Sequence, residues 1–141
     1  WDDPMNEDPA FTRVRARRAL VDLERDLGPG VAAALARTAD QLREDADHLD
    51  LLADQAVVSL GAGPWVVADL VVLPRPVRTR VWRRRAVAAG APAGQVSTRH
   101  TEACDALVTH WHGQGPVSLP GPLVSTRSAG RVSIATSPRV E

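Results

Sequence analysis

Residues 31–56 read VAAALARTADQLREDADHLDLLADQA and repeat apolar side chains at alternating steps of three and four residues. This spacing places the apolar residues on one face of an α-helix. The pattern predicts a helix of about 28 residues, roughly 42 Å long, that begins at Pro29. Because that length is unusual in a small domain, we expect the other elements to lie along this helix. Its apolar face comprises Val31, Leu35, Thr38, Leu42, Ala46, Leu49, Ala53 and Ala56.

The charges of the chain are divided unevenly between its two halves. Residues 1–60 hold 13 acidic and 7 basic residues, whereas residues 61–141 hold 4 acidic and 10 basic residues. The net charge of zero therefore hides a first half of −6 and a second half of +6. This polarity indicates an anionic partner for the second half, with nucleic acid the leading candidate.

Composition bounds the class of protein. A chain of 141 residues with 44% apolar residues fits one domain, or one domain and a tail. All 17 basic residues are arginine, so no lysine can form a Schiff base or bind phosphate. A single cysteine excludes an internal disulfide and indicates a cytoplasmic protein, and no signal peptide or membrane-crossing stretch is recognisable. The sequence begins at Trp1, and we expect it to be the tail of a longer protein.

The first helix is predicted over residues 9–27, between the start signal of Asp8 and Pro9 and the stop signal of a glycine. Arg13 and Arg17 share a face and could hold one anion together. An ordinary solvated face is the alternative. The side chains expected to point inward are Phe11, Val14, Val21 and Leu27.

A basic helix is predicted over residues 74–90, with six arginines within eleven residues. These arginines could form a phosphate-binding stripe, or they could neutralise the acidic side of the long helix within the same fold. The pattern leaves both possibilities open. The inner face is predicted to hold Val77, Val81, Arg84 and Ala88. Residues 65–73, just before it, suit either a strand or a short helix.

The last part of the chain changes period. A helix is predicted from Ser97 or Thr98 to Trp111, followed by short strands at 117–119, 123–125 and 132–134. The fold class is therefore mainly α, a helical subdomain built on one long helix, with a small C-terminal antiparallel β-hairpin or meander. No metal site is predicted, because the histidines near the single cysteine lack a second cysteine or a helical His pair. The inner face of the last helix is expected to include Ala103, Cys104, Leu107, Val108 and Trp111.

Three stretches resemble one family. Residues 2–17, DDPMNEDPAFTRVRAR, are similar to the motif that follows the ATP-binding domain of tRNA(Ile)-lysidine synthases. The arginine pattern after Leu73 and Pro74 resembles the start of their tRNA-binding subdomain, and residues 111–121 resemble a later stretch in the same order. Met5, Val14 and Ala16 depart from the family pattern, and the first two remove hydrogen-bonding groups. The matching positions of the first motif are Asp2, Asp3, Asn6, Asp8, Phe11, Arg13 and Arg17.

The resemblance implies a ligase. Such enzymes use ATP to adenylate the C2 carbonyl oxygen of the wobble cytidine (C34) of tRNA-Ile(CAU), and free lysine then displaces AMP to give lysidine. The pyrophosphate loop that this chemistry needs is absent from the sequence. We therefore expect the C-terminal part of such an enzyme, inactive alone. ATP with its Mg, and free lysine, would be bound through a missing N-terminal domain, and no cofactor is expected to bind to this segment. The acidic groups of residues 2–8 could still pair with the amine of the lysine at the edge of that site. A cytoplasmic location, no membrane contact and a possible homodimer complete the expectation.

The resemblance also assigns regions and residues. Residues 1–28 would form a connecting motif with the first helix, residues 29–115 the tRNA-binding subdomain, and residues 116–141 a β-hairpin tail. No catalytic residue is assigned, but Asp2, Asp3, Asn6, Asp8, Arg13 and Arg17 are candidates for the edge of the active site. The expected tRNA-binding residues are Arg75, Arg78, Arg80, Arg83, Arg84 and Arg85.

Two other classes of function compete with the synthase. A non-enzymatic helical interaction module would use the acidic side of the long helix to bind a basic partner. A DNA-binding helical domain would place the basic helix in a groove, although the spacing of a helix-turn-helix is not recognisable.

Overall fold

Five α-helices, four short strands and one 3-10 turn (Ala93–Gln95) form the computed structural model, which describes residues 12–137. The predicted fold class, mainly α with a small C-terminal antiparallel sheet, is confirmed. The elements in chain order are α1 (Thr12–Leu27), α2 (Val31–Leu60), β1 (Trp65–Val66), α3 (Val67–Val71), α4 (Arg75–Ala88), α5 (Thr98–Thr109), β2 (Val117–Leu119), β3 (Leu123–Ser128) and β4 (Arg131–Thr136).

The chain divides into two compact units, Trp1–Ala46 and Asp47–Glu141, with the border inside α2. In the first unit the turn between α1 and α2 is held by Glu24. Its carboxylate accepts hydrogen bonds from the backbone N–H groups of Gly30 at 3.3 Å and Ala32 at 3.2 Å, and so caps the start of α2. The division into regions expected from the resemblance stays a prediction.

The inward face predicted for the first unit is largely wrong. Val14 is buried as expected, but most of the other predicted core positions are exposed. Periodicity determines which side chains share a helix face, whereas burial also requires another element to cover that face. Phe11 lies outside the described residues. The exposed positions are Val21, Leu27, Leu35, Thr38 and Leu42.

The second unit contains the main core. Trp82 of α4 is buried and meets Trp65 of β1 edge to face, with 6.0 Å between ring centroids and an interplanar angle of 85°. Val77 and Val81 are buried as predicted, but Ala88 is exposed and Ala86 is buried instead. The predicted inner face was therefore incomplete, because α4 also buries Arg78 and Trp82, which lie outside it.

The sheet has the strand order β1-β4-β3-β2, and every neighbouring pair is antiparallel. The segment that periodicity left undecided holds both alternatives, because β1 passes directly into α3. Trp65 of β1 lies opposite Val132 of β4, which ties the first strand to the C-terminal hairpin. Ala129 and Gly130 turn that hairpin with φ of 48° and 71°, the left-handed conformation that two-residue hairpin loops favour.

A buried ion pair joins α4 to α5. Arg78 donates to both carboxylate oxygens of Asp105, through Nε to Oδ1 and through Nη2 to Oδ2 at 3.0 Å. Its Nη1 donates to the carbonyl oxygen of Leu73 at 2.7 Å. Both charged side chains are only 8% exposed. Two parallel hydrogen bonds between opposite charges offset the cost of removing both groups from water.

We predict that Asp105→Ala destabilises the protein by about 3–5 kcal/mol, because it leaves the Arg78 charge buried without its partner. Urea denaturation at neutral pH measures the free energy of unfolding. Glu102→Ala, which removes an exposed pair with Arg75, is the matched control and should cost less than about 1 kcal/mol. Equal losses in the two variants would contradict the prediction.

We also predict that stability falls in alkali because of Cys104. Burial raises the pKa of the Cys104 thiol to about 11, from an ordinary value of 9.0. The unfolded thiol loses its proton first, so stability that is complete below pH 9 declines as the pH rises toward 11. The chain has no lysine or tyrosine side chain that would titrate in the same range.

The expected loss between pH 8.5 and 10.5 is about 2 kcal/mol, measured from urea denaturation at both pH values. Cys104→Ala provides the control, since removing the thiol should abolish this pH dependence. The same decline in the variant would assign the effect to other groups.

Candidate functional site

Helix α4 carries the six arginines that the sequence singled out. Prolines at positions 74 and 76 suit the start of a helix, because their fixed φ matches the first turn and the missing N–H groups need no partner there. The arginines then project around the helix toward α5, toward the second half of α2 and toward the loop at residues 93–96. All of these elements belong to the second unit.

Two of the arginines pair with the acidic side of α2. Arg80 donates through Nε to Asp50 Oδ1 at 3.1 Å, and Arg84 donates to Asp54 at 2.6 Å and to Asp50 at 3.1 Å. Burial alone would lower the pKa of Arg84, but hydrogen bonds and charge from Asp54 and Asp50 outweigh it and raise the pKa. Arg80 and Arg84 are therefore each paired with acidic side chains of the same fold.

Two others bind backbone carbonyl groups. Arg85 donates to the carbonyl oxygens of Val57, at 2.6 Å, and Gly61, and its guanidinium lies 5.1 Å from the centroid of the Trp65 ring. It thus closes the C-terminal end of α2, and burial lowers its pKa. Arg83 donates to the carbonyl oxygens of Val96 and, at 2.8 Å, Ala93, which fastens the loop before α5.

Exposure separates the six predicted tRNA-binding residues. Arg75 pairs with Glu102 at 2.6 Å, yet 66% of its side chain remains exposed, and Arg83 is also exposed. Arg80, Arg84 and Arg85 are half-buried, whereas Arg78 is buried against Asp105. A phosphate could reach Arg78 only if its buried pair opened. The tRNA-binding role of the whole set stays a prediction.

A polar cleft of about 290 Å³ lies between the first half of α4 and the start of α5. Three guanidinium groups, one carboxylate and several hydroxyl groups face it. The start of α5 adds its partial positive charge, and Ser97 there donates its backbone N–H to His100 Nδ1 at 3.1 Å. We name it the arginine cleft, and its lining residues are Arg75, Thr79, Arg80, Arg83, Ser97, Thr98, Thr101 and Glu102.

A second, larger hollow of about 670 Å³ lies toward the end of α4. Arg80 and Arg83 line this hollow as well as the arginine cleft, so their side chains are common to both. Val87 and Ala88 add apolar side chains to its lining, whereas every side chain that lines the arginine cleft carries a polar group. We name it the apolar hollow, and its lining residues are Asp50, Arg80, Arg83, Arg84, Val87 and Ala88.

The candidates for the active-site edge lie elsewhere in the chain. Arg13 and Arg17 are exposed on α1, one turn apart as predicted, and belong to the first unit. Asp2, Asp3, Asn6 and Asp8 lie outside the described residues. The role assigned to all six therefore stays a prediction.

Sequence reasoning missed part of the surface. Ser97 and Thr98 were read as a helix start, which is correct, but not as the wall of a cleft. Trp111 was placed on an inner helix face, yet it is 40% exposed because α5 ends at Thr109. Arg127 lies 5.1 Å from the centroid of the Trp111 ring and donates to the carbonyl oxygen of Leu107 at 2.7 Å. No periodic signal linked these two residues.

Residues 12–137 hold neither a metal-binding cluster nor a membrane-spanning helix. Within residues 12–137, no group of three or more His, Cys, Asp or Glu side chains is placed to hold a metal ion. None of the helices in the same range is long and apolar enough to cross a membrane.

Similar proteins support the family resemblance, although no family model matches the chain. Proteins named tRNA(Ile)-lysidine synthase from Thermobifida fusca (strain YX), Streptomyces coelicolor and Leifsonia xyli are 52%, 50% and 49% identical to it. The alignments cover 96%, 95% and 86% of this chain, but 43%, 39% and 38% of those relatives. The resemblance is confirmed, and the chain spans about two fifths of the length of these relatives.

We predict that the exposed and half-buried arginines of α4 differ in their effect on stability. Arg85→Ala should cost about 1–3 kcal/mol, because the carbonyl groups at the end of α2 lose a charged donor. Arg75→Ala removes an exposed pair and should change stability by less than about 1 kcal/mol. Urea denaturation of the two variants measures both values. A larger loss for Arg75→Ala than for Arg85→Ala would contradict these assignments.

Proposed function

We propose that this chain, a relative of the tRNA(Ile)-lysidine synthases over nearly all of its length, is the C-terminal tRNA-binding portion of such an enzyme. The enzyme would use ATP to attach lysine to the wobble cytidine C34 of tRNA-Ile(CAU). The observation that carries the proposal is 49–52% identity to proteins of that name over 86–96% of the chain. We assign ATP binding to the part of the relatives that this chain does not match, so the chain alone should be inactive even if its first residues reach the lysine substrate.

The surface around the arginine cleft suits a tRNA backbone. Arg83 bonds carbonyl oxygens, which satisfy its N–H groups without cancelling its positive charge. Arg75 is mostly exposed beside it, and Arg80 lines the same cleft. Arginine guanidinium groups bind phosphate oxygens through charge-assisted hydrogen bonds that do not depend on base sequence. Affinity from these contacts should therefore fall steeply with salt.

The remaining arginines of α4 would support this surface. Arg78 holds α4 against α5, while Arg84 and Arg85 hold it against the second half of α2. Together they keep the exposed guanidinium groups in fixed positions, which lowers the entropy lost on binding. We therefore propose direct phosphate contact for Arg75, Arg80 and Arg83, and a supporting role for the other three.

The motif at the start of the chain would serve the active site. Asp2, Asp3 and Asp8 could pair with the amine of the lysine substrate, with Asn6 beside them. Arg13 and Arg17 could meet a phosphate group or the base that is turned out of the anticodon stack. These roles rest on the resemblance of residues 2–17 to the family motif.

A helical module that binds a basic partner remains the competing proposal. It would be favoured if the arginines of α4 were fully used by the acidic helix. Arg80 and Arg84 do pair with Asp50 and Asp54, but Arg75 and Arg83 stay exposed. These two exposed arginines favour an anionic partner instead of a basic one.

We predict that the 141-residue chain binds tRNA with an affinity that depends strongly on salt. Arg75→Gln combined with Arg83→Gln should weaken binding and reduce the slope of log affinity against log salt by about 0.7–0.9 for each phosphate that is no longer bound. Filter binding or fluorescence anisotropy at about 50–200 mM salt measures the slope. Glutamine keeps the polarity of the side chain, so the expected change comes mainly from charge.

The matched control is Arg25→Gln combined with Arg43→Gln, two exposed arginines on α1 and α2. It removes the same charge far along the chain from α4 and should leave the slope nearly unchanged. Equal slopes in both double variants would mean that binding depends on net charge alone. Absence of tRNA binding in the unaltered chain would contradict the proposed function.

A further inference from the structure

Arg80 and Arg83 stand between two spaces of different chemistry. The arginine cleft on one side is lined by guanidinium and hydroxyl groups, whereas the apolar hollow on the other side is walled by Val87 and Ala88. A nucleotide has the same division, since its phosphate is anionic and its base has apolar faces. The two spaces therefore complement the two ends of one nucleotide.

The phosphate end fits the cleft by charge. Arg75, Arg80 and Arg83 bring three guanidinium groups to a space of about 290 Å³. Arg75 is paired with Glu102 and Arg80 with Asp50, so the charge that a phosphate would meet comes mainly from Arg83. The hydroxyl group of Thr98 adds a donor from the start of α5, whereas the Ser97 hydroxyl is already bonded within the capping box with His100. Among the described residues, the hydrogen bonds of Arg83 go to carbonyl oxygens, so a phosphate would meet its full charge.

The base end suits the hollow because part of the lining is apolar. Val87, which is 37% exposed, and Ala88 provide an apolar surface, and the planar guanidinium groups provide stacking faces. The hollow of about 670 Å³ is larger than a single base requires. Arg80 and Arg84 are paired there with Asp50, and Arg84 also with Asp54, so the positive charge beside this wall comes mainly from Arg83. Such a wall accepts any base, because every base has a face that can stack.

We infer that Arg80 and Arg83 hold one nucleotide of an unpaired RNA strand, with its phosphate in the arginine cleft and its base in the apolar hollow. A base within a duplex is stacked and paired and could not enter the hollow, so this site selects single-stranded segments. The inference rests on the proposed function, to which it adds recognition of an unpaired base next to backbone contacts.

The test uses NMR titration of the 141-residue chain with uridine 5′-monophosphate, uridine and inorganic phosphate. Uridine monophosphate should shift both the Arg83 Nε–H signal and the Val87 methyl signals, whereas phosphate should shift only the former. Uridine monophosphate should also bind at least about fivefold more tightly than inorganic phosphate, because stacking of its base adds to the charge contact. Equal affinities with unmoved Val87 signals would overturn the inference.

Two substitutions separate the two ends of the site. Arg83→Gln should weaken phosphate and uridine monophosphate binding by a similar factor. Val87→Ser makes the wall polar and should weaken uridine monophosphate about fivefold while leaving phosphate unchanged. Val72→Ser, at another exposed valine outside the hollow, is the matched control and should change neither. Equal effects of the two valine substitutions would overturn the inference.

The result also separates this inference from the proposed function. If the chain binds tRNA but Val87→Ser changes neither tRNA nor uridine monophosphate binding, the nucleotide site is wrong and the proposed function stands. If uridine monophosphate behaves as expected but tRNA does not bind, the nucleotide site stands and the proposed function is wrong.

Discussion

The buried pair of Arg78 and Asp105 is the interaction on which the second unit depends. Its two hydrogen bonds hold α4 against α5. A third hydrogen bond of Arg78, to the carbonyl oxygen of Leu73, holds the residues just before α4. An apolar contact permits several relative positions of two helices, whereas a bidentate Arg–carboxylate pair forms in only one of them. The arginine cleft lies between these same two helices.

Among the remaining arginines of α4, some are neutralised by acidic side chains of the fold and others keep their positive charge. Arg84 is neutralised by Asp50 and Asp54, whereas Arg83 bonds only carbonyl oxygens among the described residues and keeps its charge. Arginine suits both tasks, because its five N–H donors can satisfy backbone oxygens while the group stays cationic. One helix can thus stabilise a small core and present a basic surface. The proposed nucleotide site uses that division directly.

The sequence predicted the bounds of the helices and strands better than it predicted which side chains are buried. Helical spacing, prolines and glycines gave α2, α4, α5 and the hairpin close to their observed bounds. Exposure was predicted less well. Leu35 and Leu42 lie on the predicted face of α2 but are exposed, since periodicity cannot say which element covers a face. Pairing of β1 with β4 joins residues 65 and 132, and no local pattern contains so distant a contact.

The sequence by itself determined the charge division, the basic helix and the family resemblance, because these depend on residue order alone. It left open whether the arginines of α4 bind phosphate or the acidic helix, since both uses have the same pattern. Only the tertiary structure separated the buried Arg78 and the paired Arg84 from the exposed Arg75 and Arg83. The physical reason is that burial and pairing depend on where other helices lie, and a local pattern does not contain that information.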